Sequence, residues 1–239
     1  MRRVLAFGAA VAALALAALP AKADTFNYTS FSVNPGNSVT LTDPTLLANP
    51  LTVSAGEITL NGSGTFMGQP ISSIDAWCLD ILTSLTTAGS YNIVPFTGPG
   101  SFGNGNPSVS TLQVQEIASM MLALGGALDN NPLATQLAIW RLEYGPGLTF
   151  SSNDITVDND ILLSATLATD ASLGGSLFNS NAQLALLDVV PTDQVLGTPF
   201  AATPIGSTIW LMAGGLVLFG MFAWRRKNNQ QSLVDGCVA

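Results

Sequence analysis

The sequence predicts an α+β domain, an antiparallel β-rich sandwich or barrel with an inserted helical subdomain, followed by one C-terminal transmembrane helix. Three observations predict it. Short Thr/Ser-rich and β-branched runs fill the chain to residue 96, helical periodicity takes over from Thr111, and an uncharged run of twenty residues lies near the C-terminal end at 205–224.

The β part consists of F-N-Y-T-S-F-S-V, S-V-T-L-T, G-E-I-T-L-N-G-S-G-T-F, I-S-S-I-D-A-W-C-L-D-I and S-Y-N-I-V-P-F, separated by Pro/Gly/Asn breaks. Such composition suits half-buried antiparallel strands. On the fourth run, alternation places Ala76, Cys78 and Asp80 on one face and Trp77, Leu79 and Ile81 on the other. The glycine-rich stretch P-F-T-G-P-G-S-F-G-N-G-N-P that follows is a loop.

A first helix is expected from Thr111, with Leu112, Ile117, Met120, Met121 and Leu124 as its apolar stripe and a glycine pair as its stop. Asn130-Asn131 and Pro132 supply a cap and a first-turn proline for a second helix, which ends at Gly145-Pro146. On it Leu133, Gln136, Leu137 and Trp140 are linked by three- and four-residue spacings, so the Gln136 amide points toward packing. A third helix is expected over 159–172, capped by Asp158 or Asn159. A-Q-L-A-L-L-D-V-V then supplies a closing strand, and the Pro/Thr/Gly-rich stretch 191–204 a linker.

The ends assign a compartment. Arg2 and Arg3 precede an unbroken apolar run that exits through Ala21-Lys22-Ala23, the pattern of a signal peptide over 1–23, cleaved between Ala23 and Asp24. The run Ile205 to Trp224 suffices to cross a bilayer core of roughly 30 Å. Arg225-Arg226-Lys227 behind it place the tail 225–239 in the cytoplasm and residues 24–204 outside, with 24–190 as the exported domain. Cys78 and Cys237 then lie on opposite sides of the membrane and cannot pair. Cys78 stands alone in an oxidising compartment.

Composition removes several function classes. Of the seven Lys and Arg residues only Arg141 lies in the exported part, against fourteen of the fifteen acids, a net charge of 1 − 14 = −13. Nucleic acid is a poor partner for such a surface, and the exported part holds no lysine. The chain has no histidine, so Ser-His-Asp and Cys-His catalysis are excluded and zinc loses its usual ligands. The loop S-S-N-D-I-T-V-D-N-D lacks the glycine and terminal glutamate of an EF-hand. No cofactor or metal is expected. Paired carboxylates such as Asp75 and Asp80 leave a hydrolase formally open.

The C-terminal segment, through Pro204, Trp210, the helix to Trp224 and Arg225-Arg226-Lys227, resembles the bacterial PEP-CTERM sorting signals, with T-P-I-G-S in place of the Pro-Glu-Pro core. That resemblance implies a sorting protease as a partner, with the membrane engaged through the helix.

By residue chemistry alone, Cys78 can be a small buried hydrophobe and Gln136 an amide satisfied by backbone groups. W-C-L-D (Trp77 to Asp80) and T-Q-L-A-I-W (Thr135 to Trp140), in that order, resemble the paired signatures of the Cys-Gln thioester domains of bacterial surface proteins over about residues 56 to 190. The resemblance implies a thioester between the Cys78 thiol and the Gln136 acyl group, formed with loss of ammonia, with Trp77, Asp80, Thr135 and Trp140 in support. It implies an adhesin-like, non-enzymatic surface protein that captures a nucleophile, an amine above all, on a surface or matrix partner. The alternative is a structural protein of the cell envelope or exopolysaccharide matrix with no functional thioester.

Overall fold

The computed structural model describes residues 24–201 except positions 44, 87, 104, 126–129, 173 and 189–193. The expected signal peptide with Ala23, and the sorting segment with Pro204, Trp210, Arg225, Arg226 and Lys227, lie outside the described residues, as does the expected membrane helix. No described helix is long and apolar enough to cross a membrane.

Seven strands form one antiparallel sheet: β1 (Asp24–Thr42), β2 (Leu51–Phe66), β3 (Gln69–Cys78), β4 (Gly89–Phe96), β5 (Thr149–Ser151), β6 (Ala182–Asp188) and β7 (Leu196–Ala201). Their order is β2-β3-β7-β6-β4-β1-β5, and β1 also pairs with β2, so six of the strands close into a ring. Phe26 marks the closure, paired with Tyr91 on one side and Gly64 on the other. The two runs expected at 26–33 and 38–42 are one strand, with register shifts at Tyr28/Ser30 and Pro35/Asn37 that bend it without ending it. Gly62 and Gly64 of β2 lie directly against the β1 backbone, where any Cβ would collide with Asn27 or Thr25 carbonyl oxygens. The sequence N-G-S-G is therefore what lets β2 cross β1 closely.

Three helices follow the expected order: α1 (Thr111–Leu124), α2 (Pro132–Tyr144) and α3 (Ile155–Ala171). Ser110 caps α1 in a reciprocal capping box with Gln113. Val114 replaces Leu112 on the buried face of α1, Leu112 being 40% exposed. Asp154, not Asp158 or Asn159, caps α3, its carboxylate accepting from the Thr156 N–H at 2.9 Å. Helix α3 thus starts four residues before the expected 159, and Asp158 sits in its first turn.

The helices belong to the same compact unit as the sheet rather than to a separate subdomain. Leu133, Leu137 and Trp140 of α2 join a core cluster with Ala76 and Cys78 of β3, while Ala138 and Ile139 join a second cluster with Trp77 and Leu79. Helix α2 is consequently buried on more than one side, which is why polar positions such as Thr135, Gln136 and Glu143 are inside.

The stretch expected as a linker contributes β7, which lies between β3 and β6. Leu-Gly-Thr-Pro carries local breaker signals, yet two neighbouring strands supply the partners that hold it extended, with Leu196 opposite both Cys78 and Leu187. The fold therefore runs past 190. A chain truncated after residue 190 should lose cooperative thermal unfolding, whereas one ending at 201 should keep it; equal transitions would place β7 outside the folding unit.

Candidate functional site

Strand β3 loses its partner β2 at the pair Ile58↔Ala76, two residues before its end. The backbone of Cys78 is left for another partner on that side, and a buried N–H or C=O left unpaired costs free energy comparable to a lost hydrogen bond. Gln136 of α2 fills the place. Cys78 N donates to Gln136 Oε1 at 2.9 Å, and Gln136 Nε2 donates to Cys78 O at 2.9 Å. The side-chain amide thereby continues the ladder as a peptide group would. Trp140 Nε1, one helical turn on, donates to the same Cys78 carbonyl at 3.0 Å. Gln136 is fully buried and Cys78 only 6% exposed.

This arrangement fixes the Gln136 amide against the Cys78 backbone. Gln136 Cδ is bonded to the two atoms that grip the Cys78 backbone, and the thiol hangs from that same residue. Tethering of the amide to the backbone of the residue that carries the thiol raises the effective concentration of one toward the other above that of an intermolecular encounter. The Cys78 N–H already polarises the Gln136 carbonyl, and it points at the oxygen on which charge would develop.

The thiol is also contacted from β7's side. Gln194 Nε2 lies 2.9 Å from Cys78 Sγ and 2.9 Å from the Asp80 carbonyl oxygen, and Sγ lies 3.4 Å from that oxygen as a donor. Gln194 carried no signal in the sequence, since it falls in the stretch that looked like linker. Its position follows from Val195 O accepting from Leu79 N at 3.1 Å, a bond that carries the β3–β7 pairing one step beyond the strand. Burial, reinforced by the charges of Glu143 and Asp80, pushes the thiol well above its ordinary range.

The remaining signature residues divide by role. Asp80 is 2% exposed, not on an open strand face: β3 ends at Cys78, and Asp80 Oδ1 accepts from Leu82 N at 2.9 Å to hold the turn that follows. Ile81, beyond the end of the strand, packs in the Cys78 cluster rather than opposite it. Thr135 Oγ1 bonds the Asn131 carbonyl at 3.2 Å, inside the first turn of α2. Trp77 packs in the second core cluster, on the face away from Cys78, so of the two tryptophans it is Trp140 that shields the thiol. Asp24 is held by backbone groups, its carboxylate accepting from Met67 N at 2.6 Å and Gly68 N at 3.1 Å. Asp75 accepts from Thr59 Oγ1 at 2.9 Å on an exposed stretch of β3.

A cavity of about 360 Å³ leads to Cys78, Trp140 and Gln194. Its walls mix apolar side chains, among them Phe31, Val33, Val53, Ile58 and Leu85, with hydroxyl groups such as those of Thr52, Ser54, Thr83 and Ser84. Arg141, the one lysine or arginine among the described residues, is committed elsewhere: its Nε donates to Ser164 Oγ at 2.9 Å, and its guanidinium lies 4.8 Å from the centre of the Phe150 ring.

No family model matches the chain, and no curated protein matches it. Solved structures similar to it include the N-terminal thioester domain of a surface protein from Clostridium perfringens, at 14% identity and a TM-score of 0.41, covering 73% of this chain and 97% of that one. A cysteine-to-alanine mutant of that domain is similar at 12% identity and a TM-score of 0.42, covering 76% and 100%. At these values the likeness is one of outline and assigns no residue.

Measured against the wild-type chain with its Gln136 amide and Cys78 thiol unlinked, Gln136→Ala should cost about 2–4 kcal/mol in denaturant unfolding, because it opens a cavity and strands the Cys78 N–H. Cys78→Ala keeps the backbone clamp and should cost less than half as much. Equal losses would mean that the amide clamp contributes nothing beyond its volume.

Proposed function

We propose that this chain is an exported surface protein whose Cys78 and Gln136 form an internal thioester, and that it captures an amine on a surface or matrix partner. The observation that carries the reading is the two-point grip of the Gln136 amide on the backbone of Cys78, whose thiol is itself buried.

The chemistry follows from the groups present. Cys78 Sγ attacks Gln136 Cδ, the carbonyl electrons move onto Oε1 under the Cys78 N–H, the C–N bond breaks, and ammonia departs with the thiol proton. One such donor is worth about 3 kcal/mol to a tetrahedral oxyanion. Burial then slows hydrolysis of the product. In capture, an incoming amine attacks the same carbon, an amide forms at Gln136 as the S–C bond breaks, and the sulfur leaves toward the Gln194 donor and takes up the proton that the amine loses. The reaction runs once per molecule, so the protein binds covalently and is not an enzyme. A surface free of lysine spares the acyl group from neighbouring copies. The cavity beside Cys78 suits a neutral amine on an apolar stem, since desolvation there favours the uncharged, nucleophilic form. In the cell, the signal peptide and the sorting or anchoring segment carry the domain to the envelope.

A second reading keeps a specific observation on its side. The same two hydrogen bonds satisfy Gln136 as an ordinary buried amide, and the burial that raises the thiol would leave it inert. The protein would then be a structural component of the envelope or exopolysaccharide matrix.

Amine coupling separates the two. Labelled methylamine should become attached at Gln136 in the wild-type chain and at no residue in Cys78→Ala or Gln136→Ala; coupling that persists in either variant contradicts the thioester. Leu82, 41% exposed and lining the cavity, is the place for an internal competitor. In Leu82→Lys the new amine should consume the acyl group as an internal amide and abolish methylamine coupling.

A further inference from the structure

Strand β2 has a second neighbour for only part of its length. It pairs with β1 over 51–64, whereas β3 lies along its other side only over 58–66. Among the described residues no strand occupies that side opposite 51–57, so this stretch is a sheet edge.

The register shows which backbone groups face the open side. Leu79 N points to β7, where it donates to Val195 O, and the Cys78 N–H and C=O point the other way, toward β2, where Gln136 takes them. Backbone groups alternate sides along a strand, and directly opposed antiparallel residues either both face each other or both face away. Ala76 therefore faces β2, and Ile58 opposite it faces β3. By the same alternation Gly56, Ser54 and Thr52 direct their N–H and C=O into the space that β3 has left. The pair Thr40↔Thr52 agrees: the two hydroxyls lie 3.2 Å apart, as befits the closely spaced kind of pair that exchanges no backbone hydrogen bonds.

Two more residues of β3 in the same register would set Cys78 opposite Gly56, so the vacated lane begins at the Cys78–Gln136 pair. The cavity beside Cys78 borders it, with 51–54 and Gly56 on one wall and 81–85 among its other lining residues. A row of outward N–H and C=O groups is completed by another extended backbone. Two residues of strand span about 6.8 Å, a gap that the four-carbon stem of a lysine bridges. A strand laid against Thr52 and Ser54 thus brings a lysine amine to the Cys78 end of the lane. Among the described residues acids far outnumber the one cation, Arg141, so a basic segment is drawn to this surface.

On the thioester reading, we propose that the partner is a polypeptide that presents its amine on an extended, lysine-bearing segment, paired as an added strand with the β2 edge at Thr52 and Ser54. Main-chain hydrogen bonds hold the segment. Its neutral lysine amine forms the amide at Gln136, the S–C bond breaks, and the proton lost by nitrogen passes to the Cys78 sulfur.

The test uses the full chain with its thioester formed and follows coupling by mass. Acetylated six-residue Thr/Val peptides with a lysine at each position in turn are compared with N-acetyl-lysine methylamide and with methylamine. The best peptide should couple at least about 10-fold faster than N-acetyl-lysine methylamide. N-methylation of one alternate set of its backbone nitrogens should remove that gain, and of the other set leave it. Ser54→Pro removes an N–H that points into the lane and breaks no bond to β1; it should lose the peptide's advantage and keep its methylamine rate within about twofold. Peptides that couple no faster than the single lysine overturn the proposal and leave the thioester standing, as does an advantage that survives Ser54→Pro. Should Ser54→Pro fail to fold, N-methylation decides on the wild-type chain: a gain indifferent to both methylated sets overturns the added strand. A wild-type dimer that Ser54→Pro dissolves would give the edge to a second copy of the chain, and D-glucosamine coupling faster than every peptide would give the site to an amino sugar; either result overturns the proposal. Methylamine that fails to couple to the wild-type chain removes the thioester reading and this inference with it.

Discussion

The amide of Gln136 and the backbone of Cys78 hold each other, and most of the local structure exists to let them. Strand β2 leaves β3 at Ala76, so Cys78 has free backbone groups on that side. Helix α2 is buried on more than one face, so Gln136 reaches those groups in a space that water does not enter. Pro132 starts the helix and Gly145 ends it, which fixes where along its axis Gln136 falls. Trp140 and Gln194 then close on the carbonyl and the sulfur of the same cysteine. A polar pair buried this deeply is stable only when nearly every donor and acceptor is matched, and around Cys78 they are.

The unmatched groups lie one step out. Glu143 and Asn106 Nδ2 are buried polar atoms without partners among the described residues. Gly103 passes so close to Asp80 and Asn106 that a side chain there would collide with both. The acidic surroundings work against a thiolate and so against indiscriminate reaction of Cys78 with solutes. A site of this kind is slow to react except with the group pressed against it. The charge distribution agrees, with Arg141, the one lysine or arginine among the described residues, spent on joining α2 to α3.

Much of this was legible in the sequence where the signal is local and periodic. Alternation in I-S-S-I-D-A-W-C placed Ala76 and Cys78 opposite Trp77, and Pro132 to Gly145 bounded α2 within a residue. The spacing of Leu133, Gln136, Leu137 and Trp140 turned the amide inward. What was hidden depends on neighbours far along the chain. Strand β7 is extended because β3 and β6 flank it, and a Gly-Thr-Pro sequence announces the opposite. Asp80 looks like a strand residue until the strand stops two positions earlier, and its burial follows from the turn it builds. Gln194 reaches Cys78 across 116 positions of sequence, a separation at which no periodicity speaks. The start of α3 was missed for a simpler reason: S-S-N-D-I-T-V-D-N-D offers several capping residues, and Asp154 wins because Thr156 gives it both a backbone and a hydroxyl donor.

A bond between Cys78 and Gln136 leaves a signature in the mass of the chain. Intact-mass measurement of the protein, purified at mildly acidic pH without added amines, tests it most directly. The account predicts a chain one ammonia lighter than its sequence, with Cys78 resistant to alkylation under denaturing conditions until base or an amine opens the bond, and full mass restored by either Cys78→Ala or Gln136→Ala. A wild-type chain of full mass, whose Cys78 is alkylated as soon as it unfolds, would contradict it.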